Sequence, residues 1–328
     1  MGEADPKLDF DDTFLSLGLA RVAEAAALAA AGLIGRGDEK TADQAAVNAM
    51  REALARLPVR GTVVIGEGER DEAPMLFIGE EVGAGHADGT GPQVDIALDP
   101  LEGTTLTAKA KPGALTVIAM APRGALLHAP DVYMEKLAVG PGYAEGVVSL
   151  DMAPAERVKA LARAKGCKMA EITVCLLERP RHAEMLAELR VTGCAIRLIS
   201  DGDVAGVIHC ADAETTGIDI YMGSGGAPEG VLAAAALRCM GGQFQGRLIF
   251  RNDDEKTRAR KAGITDLARV YARDDLVRGD AIFAATGVTD GSLLRGVRMG
   301  RTHVDTETLL MRSKTGTVRR VACRAPLV

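Results

Sequence analysis

The segment from Val94 to Thr105 constrains this chain more than any other. Its first half, Val94–Leu98, is short, mostly apolar and contains β-branched residues, which predicts a buried strand. Pro100 has no N–H for a β-ladder, so the strand is expected to stop there, and Gly103 allows a tight turn. The turn then carries two carboxylates and two hydroxyls, from Asp99, Glu102, Thr104 and Thr105. The unspecific alternative is an Asp-initiated turn before a solvated loop.

Two further carboxylates stand at the ends of predicted elements nearer the N-terminus. The pattern predicts a helix from Thr41 to Leu57, with Thr41 as N-cap and Asp43 in the first turn. A predicted strand, Thr62–Ile65, then runs into Glu67, which lies between two glycines. The alternatives are a favourable contact with the helix dipole for Asp43 and a solvated turn for Glu67.

A glycine-rich segment, Gly223–Gly230, lies between a predicted strand ending at Met222 and an alanine-rich helix, Val231–Met240. Pro228 suits the first helical position, and the glycines expose N–H groups at the positive helix end, so we expect an anion such as phosphate to bind there. Glu229 could instead simply complement the helix dipole. The segment matches neither the P-loop nor the dinucleotide-binding fingerprint.

Composition limits the class of protein and of partner. The 328 residues are 47% hydrophobic and 26% charged, which is typical of a globular chain with one large domain or two ordinary ones. A net charge of −6 with 3% aromatic residues argues against nucleic acid as a partner and favours a small molecule. No uninterrupted apolar run is as long as a membrane span, and Met1–Asp12 lacks the features of a signal peptide. The six cysteines show no paired spacing, so we expect reduced, mostly buried thiols in a cytoplasmic protein.

The order of elements predicts an α/β protein with two halves. A candidate boundary near Val148–Ala153 separates residues 1–150, which carry most of the acidic positions, from residues 151–328. In the second half, predicted helices at 156–165 and 179–190 alternate with strands at 172–177 and 195–199. This alternation is typical of parallel α/β units.

The acidic positions suggest metal-dependent chemistry. Five carboxylates lie at strand or helix ends, without histidine or cysteine in metal-ligand spacing, and each of the five scattered histidines is expected to be structural or solvated. Oxygen ligands suit Mg²⁺ or Mn²⁺ rather than zinc, and converging carboxylates need a cation to offset their repulsion. With Arg179, Arg181 and the glycine-rich helix start as phosphate-binding groups, the pattern favours transfer of a phosphoryl group to water.

Several long motifs resemble those of class II fructose-1,6-bisphosphatases, from about Arg21 to Arg320. The Asp99–Thr104 turn is similar to that of the wider Mg²⁺-dependent sugar- and inositol-phosphatase superfamily. Glu102 stands where that superfamily commonly has Asp, and Arg179 stands where lysine is a familiar alternative. The segments that carry the resemblance are Gly35–Asp43, Val64–Glu69, Asp71–Leu76, Asp99–Thr104, Ala129–Leu137, Arg179–His182, Asp201–Val204 and Gly225–Gly230.

The resemblance implies a layered αβαβα sandwich and hydrolysis of the 1-phosphate of fructose 1,6-bisphosphate, in gluconeogenesis or the reductive pentose phosphate cycle. It also implies a cytoplasmic homo-oligomer, a dimer or tetramer, with no nucleic-acid or membrane partner. Asp43 and Thr104 would orient the attacking water. By motif match, the metal ligands would be Asp43, Glu67, Asp99, Glu102 and Glu229. The substrate would contact Glu102, Gly103, Thr104, Tyr133, Arg179, Pro180, Arg181, Asp201, Gly202, Asp203 and Gly226.

Three alternatives stay open from the sequence. The first is hydrolysis of sedoheptulose 1,7-bisphosphate, alone or as a second activity. The second is an inositol-phosphatase-like enzyme. The third belongs to another class, a sugar-phosphate-binding protein without turnover, although a water-orienting Asp43–Thr104 pair would serve no purpose in such a protein.

Overall fold

A computed structural model describes residues 13–68 and 75–327. The chain divides into two compact units: both ends of the chain, up to His128 and from Val277, form the first, and Ala129–Leu276 forms the second. The boundary expected near residue 150 therefore differs from the observed division. The reason is that the strand at Tyr133–Val139 pairs with Ile220–Gly226 and Gln243–Ile249, both of which belong to the second unit.

Eleven helices occur in the described residues, apart from single 3₁₀ turns. They are α1 (Thr13–Ala31), α2 (Glu39–Leu54), α3 (Gly85–Asp88), α4 (Thr104–Ala108), α5 (Pro154–Lys165), α6 (Ala183–Val191), α7 (Asp203–Ala211), α8 (Ala213–Thr216), α9 (Ala227–Met240), α10 (Asp253–Lys261) and α11 (Arg273–Leu276).

Fourteen strands occur in the same residues. They are β1 (Arg60–Ile65), β2 (Glu81–Val82), β3 (Gln93–Glu102), β4 (Leu115–Pro122), β5 (Tyr133–Val139), β6 (Thr173–Leu177), β7 (Ala195–Ile199), β8 (Ile220–Gly226), β9 (Gln243–Ile249), β10 (Val270–Ala272), β11 (Ile282–Gly287), β12 (Arg298–Met299), β13 (His303–Arg312) and β14 (Thr317–Pro326). The chain is thus a mixed α/β protein with two sheets.

The first unit contains a sheet in the order β12-β13-β11-β4-β3-β1-β2, with β14 also paired to β13. Strand β3 is central and mostly buried, with β1 parallel on one side and β4 antiparallel on the other. Helices α1 and α2 pack on each other and contribute buried side chains such as Leu15, Leu19, Met50 and Leu54 to the same core as Ile96 of β3. The end of β3 therefore follows a strand that is fixed in the buried core of the first unit.

Helix α1 is rich in alanine and leucine, which favour helix formation, and it ends at Ala31. Its segment Phe14–Ala31 is long and apolar enough to cross a membrane by length and composition, a test that the core helices of soluble proteins also pass. In the structure, one face of this segment lies in the core of the first unit.

Helix α2 begins two residues earlier than predicted, because Asp38 and not Thr41 is its N-cap. The Asp38 carboxylate accepts hydrogen bonds from the backbone N–H of Thr41 at 3.0 Å and from its hydroxyl at 2.6 Å. This is the usual way in which an aspartate satisfies the free N–H groups of a first helical turn. The shift moves Asp43 out of the first turn.

Strand β3 does not stop at Pro100, as the sequence suggested, but continues to Glu102. The pairing with β4 changes register between Asp99 and Glu102, and a proline is tolerated at such an irregular position because no ladder hydrogen bond is required of it. The carbonyl of Pro100 accepts a hydrogen bond from the Thr116 hydroxyl at 3.0 Å. Gly103 then takes φ +90° and precedes α4.

The second unit contains a sheet in the order β10-β9-β5-β8-β6-β7. Strands β6, β7 and β8 are parallel neighbours, which confirms the α/β prediction for this segment, whereas β5 pairs antiparallel with β8 and β9. Strand β8 extends to Gly226, so the predicted glycine loop is largely strand, and α9 begins at Ala227 with Pro228 in its first turn. Between β4 and β5, Leu126 forms an isolated β-bridge with Val277.

A buried ion pair joins β5 to the start of α7. The Lys136 side chain is fully buried, and its Nζ lies 2.5 Å from Oδ2 of Asp203, which is also buried. Gly225 of β8 leaves the space for this pair, since a Cβ there would collide with the Asp203 carboxylate. Removing one member of such a pair leaves the other charge buried and uncompensated.

We therefore expect Lys136→Met to lower the free energy of unfolding by about 3–5 kcal/mol. The double variant Lys136→Met/Asp203→Asn should recover part of that loss, because no buried charge is then left unpaired. Denaturant unfolding followed by circular dichroism measures both values.

The matched control is Lys256→Met, which breaks an exposed ion pair with Asp253 and should leave the unfolding midpoint almost unchanged. Equal loss in the Lys136 and Lys256 variants would contradict a structural role for the buried pair.

Candidate active site

Three of the predicted metal ligands come together in the first unit. Asp43, Glu67 and Asp99 lie close enough that each of the first two has its pKa raised by the negative charge of a neighbour. They come from α2, from the segment after β1 and from β3. Because β1 and β3 are parallel neighbours, their carboxyl ends lie at the same edge of the sheet.

Asp43 lies beyond the first turn of α2, whose first helical residue is Glu39. Stabilisation by the helix dipole is confined to the terminal turn, so it does not explain a half-buried aspartate at this position. Burial and then repulsion from Asp99 raise the pKa of Asp43 to about 6. The position costs stability in the metal-free protein, which favours the functional explanation over the helix-dipole one.

Glu67 follows β1 in a segment fixed by backbone hydrogen bonds. Its N–H donates to the carbonyl of Leu76 at 3.1 Å, and Gly66 packs so closely on Leu76 that a Cβ would overlap that carbonyl. The carboxylate of Glu80 in turn accepts a hydrogen bond from the Leu76 N–H and one from Arg51 of α2. Glu69, which an extended backbone would place beside Glu67, lies outside the described residues.

Burial, and then the charges of Asp43 and Asp99, raise the pKa of Glu67 to about 8. A carboxyl that would be neutral near physiological pH without a partner indicates a site built for an opposite charge.

The remaining positions of the predicted turn are held by the end of β3 and the start of α4. The Asp99 carboxylate accepts a hydrogen bond from the Leu101 N–H at 3.0 Å, which fixes its direction. Glu102 is buried, and Thr104 is half-buried in the first turn of α4. The two hydroxyls and two carboxylates predicted from the sequence are thus in one short segment, although as a strand end and a helix start instead of a simple turn.

This donor set fits a divalent cation. Asp43, Glu67 and Asp99 offer only carboxylate oxygens, the ligands that hard cations prefer, and their mutual repulsion disappears when a cation lies among them. The three side chains therefore have the ligand chemistry to hold a divalent cation.

The second unit holds a group of predicted substrate-binding residues around Tyr133. Tyr133 of β5 pairs directly with Gly226 of β8, so these two predicted residues are neighbours. The guanidinium of Arg181 lies 5.0 Å from the centre of the Tyr133 ring. A second guanidinium, that of Arg251, lies at the same distance from the ring.

Arg179 and Pro180 lead into the turn that carries Arg181, and Arg179 faces the end of β7. Its guanidinium lies 3.5 Å from Oδ1 of Asp201, and the same oxygen accepts a hydrogen bond from the Gly202 N–H at 3.2 Å. Gly202 has φ +78° and precedes α7, which begins at Asp203. The Arg179 charge is therefore partly balanced by Asp201.

Glu229 lies in the first turn of α9, in the second unit. Its carboxylate packs against Gly226, where a Cβ would collide with it. The negative charge of Glu229 thus already occupies the helix end at which the sequence suggested a phosphate.

Comparison with known proteins agrees with these observations. The family model for bacterial fructose-1,6-bisphosphatase, glpX-encoded, matches residues 13–325. The chain is 45% identical over 329 aligned residues to D-fructose 1,6-bisphosphatase class 2/sedoheptulose 1,7-bisphosphatase of Synechococcus sp. (strain JA-2-3B'a(2-13)), covering 94% of each chain. It is 45% identical over 322 residues to fructose-1,6-bisphosphatase 1 class 2 of Escherichia coli (strain K12), again covering 94% of each.

The chain belongs to the class II fructose-1,6-bisphosphatase family. It is accordingly a hydrolase of phosphate esters. Among solved structures, it is similar to extragenic suppressor protein suhB from Bartonella henselae, with a TM-score of 0.34 and 16% identity over 61% of this chain and 74% of that chain.

The sequence motifs did not single out two charged residues that contact predicted substrate-binding residues: Lys136 pairs with Asp203, and Arg251 lies over Tyr133. Arg251 was outside every motif, and Lys136 was noticed only as part of a longer motif. His182 was expected to be structural or solvated, and it is structural: Nδ1 donates to the Leu177 carbonyl at 2.8 Å, and Nε2 accepts from the Ser224 N–H at 2.8 Å. For Arg251, the sequence offered no signal beyond its positive charge, because the residue that it contacts, Tyr133, is distant in the chain.

The carboxylate cluster makes a prediction about the metal-free enzyme. Carboxyl groups of the unfolded chain lose their protons near their ordinary pKa values of 3.8 and 4.5, whereas folded Asp43 and Glu67 keep theirs until about pH 6 and 8. The folded state therefore binds more protons in that range, and stability falls as pH rises. We expect the melting temperature of chelator-treated protein to fall between about pH 4.5 and 8, a fall that excess Mg²⁺ or Mn²⁺ reverses.

Glu67→Gln is the informative variant, because it removes the carboxyl group whose pKa is raised further than that of Asp43 while keeping its size. Its metal-free form should be less sensitive to pH and should gain less from added cation. A Glu67→Gln protein with the same pH profile and the same metal response as the wild type would contradict the cluster.

Proposed function

We propose that this protein hydrolyses the 1-phosphate of fructose 1,6-bisphosphate to give fructose 6-phosphate and inorganic phosphate, with Mg²⁺ or Mn²⁺ as cofactor. Two observations support the proposal: the cluster of Asp43, Glu67 and Asp99, and the similarity to class 2 enzymes that bear this activity in their names. The carboxylate cluster is the observation that supports catalysis, because a protein that only binds sugar phosphates does not need a destabilising group of acids.

The cation would be held by Asp43, Glu67 and Asp99, with Glu102 and Glu229 as the further ligands suggested by the family motifs. When bound, it would polarise the phosphoryl oxygens and lower the pKa of a water molecule. Asp43 would accept a proton from the attacking water, and the Thr104 hydroxyl at the start of α4 would orient that water.

In the second unit, the substrate would be bound by Tyr133, Arg179, Arg181 and Gly226, together with the turn Asp201–Asp203. Arg181 is exposed and fixed in position by Ser224, with its Nη2 donating to the Ser224 carbonyl at 2.6 Å. A fixed guanidinium suits a phosphate dianion, to which it can donate two hydrogen bonds. We also propose that the enzyme acts in the cytoplasm and as a homo-oligomer, by analogy with its family.

The direct test is release of inorganic phosphate from fructose 1,6-bisphosphate in the presence of Mg²⁺ or Mn²⁺. We expect turnover by the wild type, and activity of Asp99→Ala below about 1% of it, because the lost cation stabilisation is worth several kcal/mol. Treatment with a chelator should stop the wild-type reaction, and added cation should restore it. Phosphate release no greater than that of Asp99→Ala would rule out the proposal.

A second candidate function is hydrolysis of sedoheptulose 1,7-bisphosphate, alone or beside the first. The observation that favours it is the double name of the Synechococcus relative. The two functions are separated by the ratio of kcat/KM for the two bisphosphates, because that ratio measures discrimination between substrates directly.

A further inference from the structure

Two arginines lie beside the Tyr133 ring, and only one of them, Arg181, belongs to the family motifs. Arg181 and Arg251 each place a guanidinium 5.0 Å from the centre of the same ring. Among the described residues, the Tyr133 hydroxyl has no hydrogen-bond partner. Two guanidinium groups and a phenolic hydroxyl are thus gathered at one ring, and such hydrogen-bond donors suit an anionic ligand.

Arg181 contributes a charge that no described acidic side chain pairs with. Its Nε donates to the carbonyl and hydroxyl of Ser224 at 3.1 Å each, and its Nη2 donates to the same carbonyl at 2.6 Å. These neutral partners fix the direction of the side chain without neutralising it. Ser224 itself is held by His182 through its backbone N–H.

The carboxylate of Glu255 fixes the side chain of Arg251 in position. The Arg251 side chain is 59% exposed, whereas the Glu255 side chain is only 2% exposed. Glu255 accepts the Arg251 N–H and its Nε at 2.7 Å each, while the Glu255 N–H donates to the N-cap Asn252 at 2.9 Å. A buried carboxylate in a helix cap thus holds an exposed guanidinium over the ring.

The nearby negative charges do not block an anion there. Asp131 also attracts Arg251, but Asp131 is exposed to solvent, which screens its charge. Glu255 is almost fully buried and pairs with Nε and Nη2 of Arg251, so it balances part of the arginine charge and leaves Nη1 for a ligand. The exposed N–H groups of both arginines and the Tyr133 hydroxyl remain the donors available to a ligand.

We propose that Arg251, together with Arg181 and Tyr133, binds the phosphate that the substrate retains as product, and that Arg251 thereby makes the enzyme selective for bisphosphates. The inference rests on the proposed function, since it concerns the second phosphate of that substrate. A phosphate that does not react makes the same contacts before and after hydrolysis. Arg251 therefore contributes to binding of substrate and product alike and leaves the chemical step unchanged.

The test compares the wild type with Arg251→Gln and Arg251→Lys. The matched control is Arg260→Gln, which removes an equal charge from an exposed position of α10. For each protein we would measure KM and kcat for fructose 1,6-bisphosphate, the inhibition constant of fructose 6-phosphate, and the binding of fructose 1-phosphate as a competing ligand. Thermal unfolding checks that every variant is folded.

For Arg251→Gln we expect KM and the fructose 6-phosphate inhibition constant to rise together by about tenfold or more, the usual loss for a hydrogen bond to a charged group. The kcat should stay within about twofold of the wild-type value. Fructose 1-phosphate, which lacks the retained phosphate, should bind both proteins equally. Arg251→Lys should recover part of the affinity because it keeps the charge but not the planar group.

Two results would overturn the inference while the proposed function stands. The first is an active wild type in which Arg251→Gln has the same KM and product inhibition as Arg260→Gln. The second is an equal loss of affinity for fructose 1-phosphate and fructose 6-phosphate, which would indicate a general structural effect. A wild type that releases no phosphate from fructose 1,6-bisphosphate would instead refute the proposed function, while binding of fructose 6-phosphate would still report on Arg251.

Discussion

Electrostatic repulsion among Asp43, Glu67 and Asp99 is the constraint on which the first unit depends. Three carboxylates in a half-buried position cannot all be charged without a cation, as the raised pKa values of Asp43 and Glu67 reflect. The surrounding structure holds them there despite that cost. The parallel pair β1–β3 brings two of them to one sheet edge, and α2, packed on β3, supplies the third.

The second unit holds positive charges in fixed positions while keeping them exposed to solvent. Ser224 directs Arg181 and the buried Glu255 directs Arg251, while both guanidinium groups stay exposed. Glycines make this packing possible at two points, since a Cβ at Gly225 or Gly226 would collide with the carboxylate of Asp203 or Glu229. Positive groups that are fixed before a ligand arrives lose little conformational entropy on binding it.

Residue pattern and motif were enough to predict the parallel strands β6–β8 and to single out the acidic positions at strand ends, because strand ends and carboxylates are both local features of the sequence. Details that depend on tertiary contacts could not be predicted from residue pattern and motif. Asp38 replaced Thr41 as N-cap, β3 continued past Pro100 through a register change, and β5 joined the second unit. Arg251 could not be predicted, since only folding brings it to Tyr133, 118 positions earlier in the numbering.

We propose that Asp43, Glu67 and Asp99 together form a cation site. Anomalous X-ray diffraction from crystals soaked in Mn²⁺ tests it most directly, because the signal locates manganese independently of any assumed ligand set. We expect an anomalous peak with oxygen atoms of all three side chains at coordination distance, about 2.0–2.5 Å, and the loss of that peak in Glu67→Gln or Asp99→Ala crystals. Manganese bound elsewhere, with these three carboxylates uncoordinated, would contradict it.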